Sequence, residues 1–422
     1  MKYAYYLFCA LVLVQLTNCR HESQREDKTS VEASSLEKIP PTIVEHNFLL
    51  KDIFRITAGR NFPEDEPPLK NEKEFSRPEQ KPLSIKEQQP AKRKLDYGIP
   101  VICYHQNYNG NSSFEGFNVS PAMLEKQLQI LKEEGFETVT LDDFYQAISG
   151  NPPENLPERP VLITFDDGLT SNLTNVLPLF RKYNFRGVAF IYPTMVNANK
   201  KKYKYSMDWN QVQALARSGH FEIASHTFSH PMLPRLAEKE IQSQLISSKT
   251  FIEKKLGVQV KDIAYPFGLY DVRVVKMLKN TGYRMGFTVN LGLNYPGDNP
   301  YTLKRYLVTG KDSPDIFRER LHLKKTDVVI LPGDGEDYSP GSTIKISIAN
   351  IQPDSLILKI SNREIPLVKE EATKGIYTAR LPNIHTKRGF LPVLVLAKNR
   401  EGQTVTERIL YLDRERIKNP LL

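Results

Sequence analysis

Val161-Leu162-Ile163-Thr164-Phe165-Asp166-Asp167-Gly168 decides how this chain is read. Its first five residues are a short, bounded apolar run rich in β-formers, which predicts a buried strand over Val161–Phe165. Asp166 and Asp167 then stand at the C-terminal end of that strand. Neighbouring strand residues point to opposite sides, but where the backbone turns at Gly168 both carboxylates can be aimed into one cleft. Two such charges cannot both stay ionised cheaply unless a cation or a hydrogen bond separates their roles.

A second motif, Ser225-His226-Thr227-Phe228-Ser229-His230, supplies what the first lacks. Two histidines four apart share one face of a helical turn and can grip one ion. Imidazole nitrogens about 2.1 Å from zinc, with one carboxylate and an open water position, make a common catalytic arrangement. Water held there is acidic enough to attack a carbonyl near neutral pH. Taken singly, the aspartates could be helix caps and the histidines surface side chains; taken together they outline a hydrolytic metal site.

Outward from these motifs the chain alternates short apolar runs with helix-period segments. Strands are expected at Val101–Tyr104, Thr138–Leu141, Val188–Ile191, Phe221–Ala224, Ile263–Tyr265 and Met285–Val289. Helices are expected from Ser120-Pro121 to about Gly135, and over 176–183, 210–218, 235–256 and 271–280, with Asp271 as an N-cap. Repeated β-α units of this size close most naturally into a distorted (β/α) barrel, where catalytic groups collect at the C-terminal strand ends. His105, directly after Val101–Tyr104, falls at such an end, as do Asp166, Asp167, His226 and Phe267. The sole tryptophan, Trp209, reads as core, whereas Tyr192, Tyr265 and Tyr270 are groove candidates that the sequence does not rank.

Thr164-Phe165-Asp166-Asp167-Gly168, Ser225-His226-Thr227-Phe228-Ser229-His230 and Ala264-Tyr265-Pro266-Phe267-Gly268 resemble the first three motifs of the polysaccharide deacetylases, the NodB homology or carbohydrate esterase family 4 enzymes. The resemblance implies metal-dependent removal of acetyl groups from N-acetylated sugars, with a divalent metal of the zinc type. It implies Asp166 as general base, Asp167, His226 and His230 as metal ligands, and Tyr265, Pro266, Phe267 and Gly268 as substrate-groove residues, the backbone amide of Phe267 helping to hold the oxyanion. The family's third motif usually opens with an arginine that orients the base; Ala264 stands in its place. The Tyr104-His105 placement is similar to the circularly permuted subgroup acting on poly-N-acetylglucosamine, which implies His105 as general acid, a task suited to a side chain titrating near neutrality. His322 is the downstream alternative for that role. His220 and His385 read as solvated or packing residues.

The 422 residues suffice for two or three domains with full cores. Residues 1–18 are expected to be a secretory signal, since the apolar stretch from Ala4 to Leu16 is too short for a membrane span. Leu16-Thr17-Asn18-Cys19 resembles a bacterial lipobox, which implies a lipid on Cys19, membrane attachment, and an exported protein held at the cell envelope, outer membrane or cell surface. Residues 19–96, polar and proline-containing, read as a tether. The barrel is expected over 97–323. From 324 to 422 only strands follow, with period-two alternation and frequent turns, which predicts an immunoglobulin-like β-sandwich.

The formal net charge of +9 fits attraction to an anionic envelope. It does not point to nucleic acid, because acidic residues are interspersed with the basic ones and no reading module is present. Of the three cysteines, Cys9 lies in the leader, Cys19 at the lipobox, and Cys103 in a strand, so no internal disulfide is expected. Three functions stay open on sequence: a biofilm or envelope polysaccharide deacetylase, a peptidoglycan N-acetylglucosamine deacetylase, and a non-catalytic glycan-binding lipoprotein.

Overall fold

A computed structural model of the protein describes residues 97–418, apart from 111–115, 197–204, 326–327, 338, 350, 353–354, 361–362, 371–374, 384, 386–388 and 401–403. The signal, the lipobox cysteine Cys19, His21, His46 and the tether to residue 96 lie outside the described residues. Among the described residues no helix is long and apolar enough to cross a membrane.

The first body is a curved sheet wrapped by helices. In chain order its elements are β1 (Ile99–Tyr104), α1 (Pro121–Glu133), β2 (Glu137–Thr138), α2 (Leu141–Ile148), β3 (Pro160–Phe165), α3 (Leu177–Tyr183) and β4 (Gly187–Ile191). There follow α4 (Trp209–Ala216), β5 (Phe221–Ser225), α5 (Glu238–Leu256), β6 (Asp262–Ala264), α6 (Val272–Asn280) and β7 (Met285–Phe287), then β8 (Leu293–Asn294), β9 (Tyr306–Leu307) and α7 (Pro314–Leu321). The spatial order is β7-β6-β5-β4-β3-β1-β8, with β2 alongside β3 and β9 alongside β1. From β7 to β1 all neighbours are parallel.

Burial on both faces explains why β1, β3 and β4 are apolar, Thr164 of β3 apart, rather than alternating. Alternate residues still separate into two cores. Ile102, Tyr104, Ile163, Phe165, Ala189 and Ile191 pack with helical residues such as Leu128, Phe180, Leu245 and Leu278. Val101, Leu162, Val188, Phe190 and Ala224 pack with one another and with Leu141, Phe144, Ala147 and Ile148 of α2. Helix α2 therefore plugs the inside of the curve, and its first amide, Leu141 N, donates to Glu222 near the start of β5 (2.9 Å).

The curve is drawn toward closure by one segment. Leu303 exchanges backbone hydrogen bonds with β7 and the residue after it, donating to Gly286 (3.0 Å) and accepting from Thr288 (2.8 Å). A few residues later β9 pairs with β1, Tyr306 opposite Ile102. Residues 300–307 thus run from one end of the parallel sheet to the other, in agreement with the barrel-like expectation.

The expected strand at Thr138–Leu141 needs correction. Only Glu137–Thr138 forms a strand; Thr140 caps α2, its hydroxyl accepting from Asp143 N while the Asp143 carboxylate accepts from Thr140 N. This capping box fixes a helix start where the β-propensity of Val139 and Thr140 pointed to a strand. Asp271 caps α6 as expected, accepting from Val274 N at 2.9 Å.

Beyond α7 the elements are strands: β10 (Val328–Leu331), β11 (Thr343–Ile348), β12 (Ile357–Ile360), β13 (Arg363–Ile365), β14 (Val368–Lys369), β15 (Ile376–Arg380), β16 (Phe390–Lys398) and β17 (Thr404–Leu412), closed by the short α8 (Arg414–Lys418). They form two four-stranded antiparallel sheets, β10-β11-β15-β14 and β13-β12-β16-β17. Both contribute to one apolar layer, with Ile344, Ile346 and Ala379 from the first facing Leu358, Val393 and Tyr411 from the second. The chain changes sheet three times, between β11 and β12, at Pro366-Leu367 between β13 and β14, and between β15 and β16.

Candidate active site

Parallel pairing brings the chemistry-bearing residues to one rim. Tyr104 of β1 lies opposite Phe165 of β3, so His105 and Asp166 leave neighbouring strands side by side, and Asp166 N donates to Tyr104 O (3.0 Å). Ile191 of β4 lies opposite Ser225 of β5, so Tyr192 and His226 emerge together, with His226 N donating to Ile191 O (2.8 Å). The inward positions of β3 run Leu162, Thr164, Asp166, an apolar interior that turns polar toward the rim.

An arginine, absent from the third motif, reaches Asp166 from elsewhere in the chain. Arg305, fully buried, donates from Nη1 and Nη2 to the two oxygens of Asp166, each at 2.8 Å. Its Nε donates to Thr288 O (2.7 Å) and its Nη1 also to Thr164 Oγ1 (3.2 Å). Such a two-pronged pair fixes the plane of the carboxylate as well as its charge. Burial alone would raise the Asp166 carboxyl, but the Arg305 guanidinium, aided by His226 and His105, overrides that and holds it well below the usual carboxylate range. Cys103 Sγ donates to Asp166 Oδ2 (3.5 Å), and burial keeps this thiol protonated.

Asp167, His226 and His230 each offer one ligand atom, and these atoms lie within 4.8 Å of one another. His230 Nε2 is 3.5 Å and His226 Nε2 3.7 Å from Asp167 Oδ1. That oxygen is buried and has no hydrogen-bond partner among the described residues. Burial, and then the charge of Asp166, push the Asp167 carboxyl up to about 8. A buried carboxylate oxygen that no donor among the described residues satisfies, facing two imidazole nitrogens, is the environment a cation would complete, and an N, N, O donor set suits zinc. Burial lowers the pKa of both histidines, keeping them in the neutral form that ligates. His226 Nδ1 is 2.8 Å from Ala264 O, which fixes the tautomer that turns Nε2 to the cluster.

The backbone gathers these side chains by a different route from the expected helical turn. Residues 226–230 contain no helix; Thr227 and His230 are left-handed at φ 64° and 59°. Asp167 is also left-handed (φ 74°), so the turn that re-aims its side chain begins one residue before Gly168. Phe267 (φ 60°) completes the set. Among the described non-glycine residues only Asn184, a helix C-cap, shares this conformation outside the site. Left-handed backbone costs roughly 1–2 kcal/mol per residue, so its concentration here marks geometry held by the surrounding structure for a purpose.

His105 is buried, its ring 5.4 Å from that of Phe117, and its Nδ1 has no hydrogen-bond partner among the described residues. Burial lowers it to about 4, against the opposing charge of Asp166. The Tyr192 ring lies 5.0 Å and the Phe267 ring 4.7 Å from the His230 ring, so both border the cluster. The Tyr265 side chain does not: it is fully buried, stacks on Tyr270 and donates to Tyr301 O (2.8 Å). Its expected place in a groove is corrected to the core, because the side chain of the residue after β6 turns toward the helices. Pro266 and Gly268 are buried beside it. Trp209 is half-buried against the helical core. His322 pairs with Glu134, His220 with Phe185 O, and His385 with Asp413 and Glu415, all apart from the cluster.

The family model described as polysaccharide deacetylase matches residues 154–286. That span holds Asp166, Asp167, His226 and His230, while His105 and Arg305 lie on either side of it. The YxkH protein of Bacillus subtilis (strain 168) is 29% identical over 233 residues, covering 55% of this chain and 77% of that protein. The poly-beta-1,6-N-acetyl-D-glucosamine N-deacetylase of Staphylococcus aureus (strain MSSA476) is 24% identical over 211 residues, 48% of this chain and 71% of that protein. Among solved structures, IcaB from Ammonifex degensii aligns at 24% identity and a TM-score of 0.47, covering 53% of this chain and 95% of its own. This chain therefore carries a polysaccharide deacetylase domain and is related to the poly-N-acetylglucosamine deacetylases.

Proposed function

We propose that the protein is an exported, metal-dependent N-deacetylase acting on N-acetylglucosamine units of an envelope or biofilm polysaccharide. One observation carries this reading: three ligand atoms converge beside a carboxylate that Arg305 holds ionised. Asp167, His226 and His230 would hold the metal. When bound, it supplies a Lewis acid that polarises the acetyl carbonyl and lowers the pKa of the attacking water.

Asp166 takes a proton from that water as its oxygen adds to the acetyl carbon. The addition brings a negative charge into a buried pocket, the change that raises a neighbouring imidazole from the low value His105 has at rest. As its pKa rises His105 takes up a proton from solvent and gives it to the sugar nitrogen; the carbon–nitrogen bond breaks, acetate and a free amine leave, and the protons of Asp166 and of the acid product pass to solvent. Phe267 and Tyr192 border the acetyl-binding space, and the Phe267 amide is the candidate oxyanion donor.

The named activity of the Staphylococcus aureus relative supports poly-N-acetylglucosamine as substrate, with peptidoglycan as the competing reading. The leader and the Cys19 lipobox support export and lipid attachment, which radiolabelled palmitate incorporation into wild type but not Cys19→Ala would test. We read the two antiparallel sheets as an immunoglobulin-like sandwich.

The deciding assay is acetate release by protein stripped of metal and then reloaded with zinc, on poly-N-acetylglucosamine oligomers beside peptidoglycan. Zinc-dependent release from the oligomers supports the proposal. Release from peptidoglycan alone moves the function to the cell wall, and release from neither would leave a glycan-binding protein.

A further inference from the structure

We infer that Asp334 and Glu407, in the C-terminal β body, are positioning residues for Arg305 and through it for Asp166, so that this body forms part of the catalytic apparatus. The inference rests on the deacetylase reading above and adds to it a role for a region which that reading leaves without one.

Arg305 is held along its backbone and at its head by the turn after β7. Its N–H donates to Asn290 O (2.9 Å) and its Nε to Thr288 O (2.7 Å). Thr288 is held within the barrel, donating from its N–H (2.8 Å) and Oγ1 (2.9 Å) to Leu303 O, whereas Asn290 is tied to the C-terminal body. The Asn290 side chain donates through Nδ2 to Asp334 Oδ2 (2.6 Å), and Tyr270 donates its hydroxyl to the same oxygen. The other oxygen, Asp334 Oδ1, accepts from Leu410 N of β17 (2.6 Å). Asp334 thus joins β17 to the turn that cradles Arg305. A second tie approaches from the other side: Lys304, adjacent in sequence to Arg305, places Nζ 3.0 and 3.2 Å from the two carboxylate oxygens of Glu407, also on β17.

Both ties are charge-assisted and only partly exposed to solvent, which makes them worth more than surface pairs. The two bodies also meet closely beneath them. Gly335 is left-handed (φ +78°), and a Cβ there would stand 3.1 Å from the Tyr270 ring and 3.4 Å from Asp271 Cα. Leu269, Phe390, Leu410, Leu412 and Ile417 form a small shared apolar cluster, against which Phe267 packs. A two-pronged arginine–carboxylate pair tolerates little displacement, and misplacement by about 1 Å can cost on the order of a hundredfold in rate.

The test uses the full chain and compares wild type with Asp334→Asn, Glu407→Gln, the double variant, and the reciprocal exchange Asn290→Asp/Asp334→Asn, which restores a donor facing a carboxylate. On poly-N-acetylglucosamine oligomers with zinc, the double variant is expected to lose roughly tenfold or more in kcat while KM stays within about twofold, since only the base is displaced. The exchange should recover most of the Asp334→Asn loss. Deuterium uptake should rise in peptides covering 286–307 and stay unchanged across β4 and β5. Unaltered kcat and unaltered uptake at 286–307, with only a lower melting temperature, would overturn the inference and leave a plain structural joint. If wild type releases no acetate, the deacetylase reading fails on its own, and deuterium uptake at 286–307 still decides whether these carboxylates position Arg305.

Discussion

The two ends of the same parallel strands have opposite characters. At the start of β1, β3 and β4 the inside of the curve holds Ile99, Val101, Leu162 and Val188, sealed by Phe144 and Ile148 of α2. At the other end the inward positions are Thr164 and Asp166, joined by Arg305, and four left-handed non-glycine residues hold the side chains that converge there. The lower end is packed chiefly with apolar side chains and, among the described residues, holds none of the candidate ligands. The upper end buries charges and unpartnered polar atoms, and the lower end supplies the stability that offsets them. The division follows the general rule for such sheets, in which function sits at the C-terminal strand ends.

The sharpest way to break the comparison is at the upper rim. Asp166→Asn should reduce acetate release by about a thousandfold or more while zinc content measured by mass spectrometry stays near one per chain, since a general base contributes typically 10²–10⁴-fold. His230→Ala should be as inactive for a different reason, with zinc lost on dialysis. Normal turnover in either variant would remove Asp166 or His230 from the site.

Arg305→Met separates charge from packing. It leaves Asp166 buried without its cation, and breaking a buried pair in this way costs about 3–5 kcal/mol, measurable by urea denaturation. The pH dependence follows from the sign of the shift. With Arg305 present the folded Asp166 pKa is depressed, so its contribution to stability is complete above the unfolded value of about 3.9 and is lost as pH falls through the folded value. Without Arg305, burial dominates and the carboxyl rises, so that contribution vanishes and the acid limb of the activity profile moves to higher pH. An acid limb unchanged in Arg305→Met would show that Arg305 does not set the ionisation of Asp166.

These residues also mark what the sequence made legible. Asp166, Asp167, His226 and His230 belong to short motifs whose neighbours in sequence are neighbours in space, and the strands carrying them are apolar enough to be read without a partner. Arg305 was invisible because it stands 139 positions from Asp166 and belongs to no motif; only closure of the sheet by residues 300–307 brings the two together. The one available signal was negative, the alanine at position 264 where an arginine was due. Helix α2 was missed for a local reason, since Thr140 and Asp143 form a capping box whose geometry outweighs the β-propensity around it. The histidine pair was recognised by spacing four, yet the structure meets that spacing with left-handed loop residues, because ligation requires converging nitrogens and places no demand on the helix.

Phe144 tests the lower end. Its ring is fully buried 5.9 Å from Phe287, and Phe144→Ala should cost about 3–5 kcal/mol in stability. Because α2 plugs the end of the curve remote from the chemistry, kcat at a temperature where the variant remains folded should match wild type. A kcat loss comparable with that of Arg305→Met would mean that the two ends are mechanically coupled, and the comparison would fail.

The smallest effect is expected at Arg284, where one guanidinium serves two carboxylates in unlike surroundings. Asp262, at the start of β6, is 3% exposed and accepts from Nη2 at 2.8 Å, whereas Asp142 on α2 is 59% exposed and is reached by Nη1. Solvent screens the outer contact, so Asp142→Asn should change stability by about 0–1 kcal/mol, an effect reduced further by salt. Asp262→Asn leaves the inner side of a half-buried guanidinium without its counter-charge and should cost more, by urea denaturation at one ionic strength. Burial, rather than the number of ion pairs, then sets what the lower end gains from charge. Equal costs for the two variants would mean that the Arg284 pairs are screened alike, and that the dry interior begins only above the first residues of the strands.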